Sequence, residues 1–545
     1  MLKAIELENF KAFGERNRIE FAPITLIFGE NSAGKSSILQ SLNLLKQSRE
    51  SRETGTLILP RTDGGIVDLG SFKELVFDHD LSRNVAIRVD LIDSGRGRFR
   101  SHEQEQENAD SSTGIEVAFN RPSEAQDVQL ESLTLHSSDV AEEVARFEPF
   151  SLEREERRRL VRELLPIRNY RPDSTEELGA ARCCSLTSEP SFWAEVFDRT
   201  TRRSEKIADE LRQLQSEGQE APQQRSLFGE DEEKRHNWLS QVEEAIAFYS
   251  SDFGIDEFIQ RMMRAELQTT IALDGFIPYP LRRREATGLP ELETFRRYGP
   301  TRLRMRDLTL DLMSFAVDCG RRLETALENI YPIGPFRRPP ERWYIFTGTN
   351  PHDVGYRGDL LPDLLFRRPE IVEEANQWLD RLEIGYHIKV QSVGERSRDL
   401  FEVRLVDRRR GNEVDVALSD VGFGISQILP FIVQSLAGEK QIITIEQPEV
   451  HIHPRLQADL GDLLAAAIQD PRNHRYIVET HSEHLVLRMQ RLVREGNITP
   501  ADVSVLYVSR GPEGSRVERL RLDDDGDFID DWPGGFFPER LRELM

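Results

Sequence analysis

The chain has 545 residues and a formal net charge of −24, with 38% hydrophobic and 31% charged side chains. That length exceeds one ordinary core and calls for about two to four domains. The apolar content excludes wholesale disorder. So acidic a chain is not built to coat nucleic acid over its whole surface, although a local basic groove stays compatible with the balance. Three cysteines, Cys183, Cys184 and Cys319, make neither a disulfide framework nor a paired-cysteine zinc site, and point to free thiols in a reducing, cytoplasmic setting. No apolar run is long enough for a membrane span. The stretch Met1–Glu6 reads as a strand, not a leader.

In chain order, Ala4–Leu7 and Ile19–Phe21 are expected strands around a Lys11–Arg16 turn. Ile24–Phe28 is a continuous apolar run, the pattern of a parallel strand buried on both faces. Ser36–Gln47 follows with Ile38, Leu42 and Leu45 on one helical face. Asn84–Ile92, Gly114–Phe119 and Val128–Leu135 alternate as an antiparallel sheet would. The middle of the chain is expected to be a long helical insertion. Its helices are placed at Arg154–Leu165, Thr200–Gln215, Phe248–Ile271 and Leu308–Tyr331, with a polar loop over Ser216–His236. After position 370, helices at Ile371–Leu382, Gly424–Ala437 and Pro454–Gln469 are interleaved with strands. The strands are Tyr386–Val393, Phe401–Val406, Val414–Leu418, Gln441–Ile445, Arg475–Val478 and Val503–Val508. This alternation indicates a parallel α/β sheet. The expected units are 1–139, an insertion over 140–330, and 331–545, with the α/β core split between the two ends.

Gly29-Glu30-Asn31-Ser32-Ala33-Gly34-Lys35-Ser36 matches G-x-x-x-x-G-K-[ST] and sits between a buried strand and a helix, where the mechanism needs it. The glycines let backbone N–H groups face phosphate oxygens, and the helix N-terminus adds partial positive charge. Gly29, Asn31, Ser32, Ala33, Gly34, Lys35, Ser36 and Ser37 are therefore the candidate ATP-binding residues. Lys35 would reach the β- and γ-phosphates, and Ser36 would ligate Mg²⁺. Glu446, at the tip of the apolar Gln441–Ile445 run, is the acid that would share that Mg²⁺. Ser419, Gly422 and Gly424 lie in a small-residue cluster opening a helix, which can present N–H groups to an anion. His481, just after a strand, is placed to sense a γ-phosphate or position a water.

These four motifs, in this order around a long insertion, resemble the ABC-type ATPases grouped with SMC, RecF and OLD-family proteins. More narrowly, Gln447-Pro448-Glu449-Val450-His451-Ile452-His453-Pro454, Glu479–Leu485 and the Trp532–Phe537 segment resemble bacterial AAA family ATPases, such as the ATPase subunits of the Septu and PARIS antiphage systems. The resemblance spans about residues 1–95 and 330–545. Ile333–Arg337 looks like a family turn before the second half.

It implies an α/β fold, an ABC-type P-loop ATPase head with an antiparallel β lobe and a long helical insertion. Ser419, Gly422 and Gly424 would then contact the nucleotide of a second copy, giving a head-to-head homodimer or higher homo-oligomer closed by ATP. A separate effector, a nuclease or toxin, would be the regulated partner in phage defence. An ATPase of DNA repair or chromosome maintenance, a scaffold that binds ATP without turnover, and an OLD-like nuclease-associated ATPase are the alternatives. The residues after His481 leave little room for a nuclease domain beside the last strands.

The sequence departs from the family pattern at Gln447, where an acid usually serves as catalytic base. Glutamine orients a water but accepts a proton poorly. Glu449 would then substitute, or the phosphate would take the proton, or hydrolysis would be slow. Two competing constellations are set aside. His451, His453, His481 and His484 belong more economically to the motif loops than to zinc. Asp523–Asp527 lacks the later acid of a calcium loop and reads as a turn on Gly526. The arginine runs at 154–162, 282–284, 296–306 and 408–410 are mostly mixed with acids, as solvated helix faces are, and one of them could line a nucleic-acid groove.

Overall fold

Ile24–Gly29 is the central strand of a six-stranded sheet in a computed structural model of the chain. The structure describes residues 1–50, 65–92, 111–123, 127–138, 141–149, 164–165, 179–186, 270–279, 282–283, 314–346, 348–393, 399–409 and 414–533, with scattered positions between them.

Across the sheet the order is Ile330–Ile333, Ile442–Glu446, Arg475–Glu479, Ile24–Gly29, Val503–Gly511 and Gly514–Leu520. The first five run parallel, and the last closes an antiparallel hairpin. Successive residues of the central strand enter different cores, as the period of two demands. Ile27 faces the helix Lys35–Glu50 and the antiparallel sheet, in the same cluster as Ile38, Leu42, Ile477 and Leu506. Leu26 and Phe28 face the other way, among residues of the helices Pro369–Arg381, Phe423–Leu436, Pro454–Gln469 and Glu483–Arg494. Apolar residues on both faces explain the unbroken hydrophobic runs of these strands. Trp532 caps this second face edge-on, with ring centres 6.0 Å from Phe28 and 5.3 Å from Phe528.

The halves of this core come from opposite ends of the chain, as expected. A second, nine-stranded antiparallel sheet begins with Leu2–Glu8, Asn17–Glu20, Val85–Ile92, Ser112–Asn120 and Gln129–Ser137. It then continues through Ala141–Pro149, Gly179–Leu186, Thr270–Asp274 and Ile277–Tyr279. Within the expected helical insertion over 140–330, the described residues also include four of these strands. Helix is present at described positions within 201–216 and over 314–328. The Leu308–Tyr331 helix is also shorter than expected: Ile330–Ile333 is a strand pairing in parallel with Ile442–Ile445. Segments such as Glu142–Glu148 put few apolar residues between charges, so their period of two is faint, and pairing along the sheet decides their form. The helices expected at Arg154–Leu165 and Phe248–Ile271 and the loop at Ser216–His236 lie largely outside the described residues. No helix among the described residues is long and apolar enough to cross a membrane.

His474, at the entry to Arg475–Glu479, is buried, and its Nδ1 accepts from the Gln441 N–H at 3.2 Å. Burial, then the Arg472 charge, pushes its imidazole down to about 4. An unfolded histidine titrates near 6.5. This group's stabilisation is therefore full above about pH 6.5 and is lost as pH falls toward 4. His474→Asn keeps an acceptor and removes the titration. Urea midpoints at pH 7 and pH 4.5 should fall less on acidification in this variant than in the wild type. Equal falls would count against the assignment.

Candidate nucleotide-binding site

The loop after Ile24–Gly29 gathers unusual backbone angles. Gly29 has φ +140°, Ser32 +60° and Gly34 +94°. A Cβ on Gly29 would stand 2.0 Å from the Val508 carbonyl oxygen, and one on Gly34 would stand 2.7 Å from the Ala12 Cβ. Only glycine lets the loop curl this tightly against its neighbouring strand. Lys35 then opens the helix, and its ammonium donates to the carbonyls of Gly29 (3.0 Å) and Glu30 (2.6 Å). Burial depresses its pKa, while Glu479, Glu449 and Glu30 oppose that shift.

A cavity of about 630 Å³ opens over this loop. Asn31, Ser32, Gly34, Lys35, Ser36 and Ser37 line it, together with Gln447 and His481. It lies at the carboxyl ends of the parallel strands, where open α/β sheets bind ligands. The structure thus brings the loop, Gln447 and His481 together, although more than 400 positions of sequence intervene. Burial and the neighbouring Lys35 lower the His481 pKa, against an upward pull from Glu449.

The strand ends supply the acids. Glu446 and Glu479 sit side by side in register on adjacent parallel strands. Both are buried, at 8% and 2% exposure. Glu446 accepts a hydrogen bond from the Tyr356 hydroxyl at 3.0 Å, and Glu479 accepts one from the Ser36 hydroxyl at 2.9 Å. Burial and then the charge of Glu479 push Glu446 up to about 7, against the pull of Tyr356 and Arg337. Burial likewise raises Glu479. Two desolvated carboxyls without a matching cation resist ionisation together.

Gln447 follows with φ +45°, its N–H donating to the Glu479 carbonyl at 2.8 Å. A left-handed conformation at a non-glycine residue holds that position under strain beside the cavity. Glu449 is engaged elsewhere. One of its oxygens accepts from the Thr480 hydroxyl and the other from the His481 N–H, each at 2.7 Å. Its place in the structure is to brace the turn that carries His481.

Ser419, Gly422 and Gly424 are not among the residues lining this cavity. Ser419 is in the short turn Leu418–Asp420, and Gly422 caps the helix Phe423–Leu436 with open space where a Cβ would be. Asp420 is held by both terminal nitrogens of Arg342, at 2.7 and 3.0 Å. The same helix is tied to the acidic strand end by Arg337. That guanidinium donates to Gln427 at 3.0 Å and to the Glu446 carbonyl at 3.1 Å, and lies over the Phe431 ring. Burial lowers its pKa to about 10.

Several site residues were given no role from sequence: Glu479 and Arg337 stand at the ends of motifs named above, and Tyr356 lies outside them. Lys11, Glu74, Asp78 and His79 also line the cavity. Lys11, Asp78 and His79 have φ between +51° and +57°, a clustering of strained residues at one site that no local pattern announces. The Asp523–Asp527 segment is a turn, closed from the Asp523 N–H to the Asp527 carbonyl, with Gly526 at φ +75°. Of the arginine runs, 154–162 and 296–306 lie outside the described residues, while Arg409 pairs with Asp407 and covers the Tyr386 ring.

Residues 498–545 match a family described as a protein of unknown function, DUF3696. No curated protein matches the chain. Among solved structures, the chain is similar to the Smc head domain with an extended coiled coil, bound to the C-terminal domain of ScpA, from Pyrococcus furiosus. That match has 11% identity, 100% of this chain and 98% of that chain covered, and a TM-score of 0.37. It is also similar to the SMC head domain from Thermotoga maritima, with 10% identity, coverage of 96% and 99%, and a TM-score of 0.34. Residues 1–144 and 368–486 match the family described as AAA ATPase domain. These two matched segments, far apart in sequence, pair directly in one parallel sheet through Ile24–Gly29 and Arg475–Glu479.

Proposed function

We propose that this chain binds MgATP over the Gly29–Ser36 loop and hydrolyses it slowly, closing head to head on a second copy and gating a separate effector in antiphage defence. The observation that carries the chemistry is the meeting of Lys35, Ser36, Gln447, Glu479 and His481 around one cavity. In this reading Lys35 leaves its carbonyl partners for the β- and γ-phosphates. The N–H groups of the loop and of the following helix face the same oxygens. His481, braced by Glu449, donates to or orients the γ-phosphate end. Gln447 orients the attacking water, whose proton passes to a phosphate oxygen because an amide cannot take it.

The residues present fit Mg²⁺. Ser36 offers a hydroxyl and Glu479 a buried carboxylate whose Oε2 has no hydrogen-bond partner among the described residues, with Glu446 in register beside it. Bound there, the cation would neutralise charge on the β- and γ-phosphates. The head-to-head closure rests on the resemblance of Ser419, Gly422 and Gly424 to an ABC-type signature and on their absence from the lining of this chain's own cavity. The effector and the defence role rest on the motif resemblance alone.

Phosphate release from ATP tests the chemistry. Gln447→Glu should raise turnover, by about 10² if a positioned base is what the site lacks. Glu446→Gln should lower it more than Gln447→Ala does. Turnover unchanged by Gln447→Glu would show that proton acceptance does not limit the rate. A silent Glu446→Gln beside a dead Gln447→Ala would reverse the two roles.

A further inference from the structure

The loop hydroxyl already has a carboxylate partner, and it is Glu479. Ser36 Oγ donates to Glu479 Oε1 at 2.9 Å, and both residues line the cavity. Glu479 Oε2 is buried with no hydrogen-bond partner among the described residues, in a side chain 2% exposed. A desolvated carboxylate oxygen left without a donor is costly. A hard divalent cation with oxygen ligands satisfies it. Glu446 stands differently: its Oε1 is taken by the Tyr356 hydroxyl, and it is not among the cavity-lining residues.

We propose that Glu479, with Ser36, is the residue that holds the divalent cation of this site, and that Glu446 stands behind it as a hydrogen-bonded neighbour. The assignment rests on the MgATP reading above. It divides labour between the two strand ends. The strand Arg475–Glu479 lies directly beside Ile24–Gly29, so its terminal side chain reaches Ser36 in the first turn of the helix Lys35–Glu50. The strand Ile442–Glu446 is one position further out. The Glu446 carboxyl, bonded to Tyr356, then supplies negative charge next to the cation without being needed to bind it.

The test is the Mg²⁺ dependence of nucleotide affinity in the full chain, read with fluorescent mant-ATP in Mg²⁺ and in EDTA. Mg²⁺ should tighten binding to the wild type. Glu479→Gln should cut that tightening by at least the roughly tenfold that loss of even an outer-shell partner costs. In EDTA the same variant should bind as well as the wild type or better, because a negative charge has left the phosphate site. Glu446→Gln should keep most of the Mg²⁺ effect, and Glu479→Asp should restore part of it. With Mn²⁺ and ADP, the electron paramagnetic resonance spectrum of Glu479→Gln should move toward that of MnADP free in solution. An intact Mg²⁺ effect in Glu479→Gln overturns the proposal. So does an equal loss in both glutamine variants, or a parallel loss in Mg²⁺ and EDTA, which a merely structural role would produce. Failure of the folded wild type to bind mant-ATP in either medium overturns the nucleotide reading, and this assignment with it.

Discussion

Lys35→Ala should remove nearly all affinity for ATP while leaving the fold in place. The ammonium is the one cation offered by the loop itself, and it is 4% exposed. It is held at the mouth of the helix by two loop carbonyls, so it starts within reach of any phosphate seated on the loop. Truncating one partner of a buried, hydrogen-bonded charge pair costs about 2–5 kcal/mol. That is roughly 30-fold to several-thousand-fold in Kd, at about 1.4 kcal/mol per tenfold. The loss should be larger than for Lys35→Arg, which keeps the charge but not the compact shape. The melting temperature without nucleotide separates lost affinity from lost folding. Calorimetry with ATP and Mg²⁺ reads the effect. Unchanged affinity in a folded Lys35→Ala would remove the basis for placing phosphates on this loop.

Ser419→Arg should separate binding from turnover. Ser419 lies on the turn Leu418–Asp420, ahead of a helix whose cap, Gly422, has open space around it. Neither residue lines the cavity of its own chain. If this turn meets the γ-phosphate of a second copy, ATP is a component of the interface, and a ligand recognised only by the dimer stabilises the dimer by mass action. An arginine there fills the space intended for the phosphate. ATP affinity of the monomer should stay close to wild type, whereas ATP-dependent association in sedimentation and phosphate release should both be lost. Cysteines placed near Ser36 and Ser419, in a background without the native cysteines, should crosslink between chains, and more so with ATP. Crosslinking within one chain, equal with and without ATP, would reject a shared site.

What the sequence determined by itself was local. The Gly29–Ser36 loop, the unbroken apolar runs at Ile24–Phe28 and Gln441–Ile445, and the helices that follow them announce themselves because turn chemistry, burial on both faces and helical periodicity act over a few residues. The strands in 141–149 and 179–186 did not, because charges in the first and small residues in the second leave no clear alternation, and only the ladder they join selects the extended form. The partners within the site were decided by tertiary structure alone. Sequence order puts Glu446 before Glu479, but strand order puts Glu479 next to the loop, 443 positions from the serine it binds. Glu449, free in the sequence to act as a base, is claimed by Thr480 and His481. Arg337 and Tyr356 reach Glu446 from a segment about 100 residues earlier. Which of several acids faces a given hydroxyl depends on how strands are ordered across a sheet, and that order is set by packing of the whole domain rather than by any stretch of the chain.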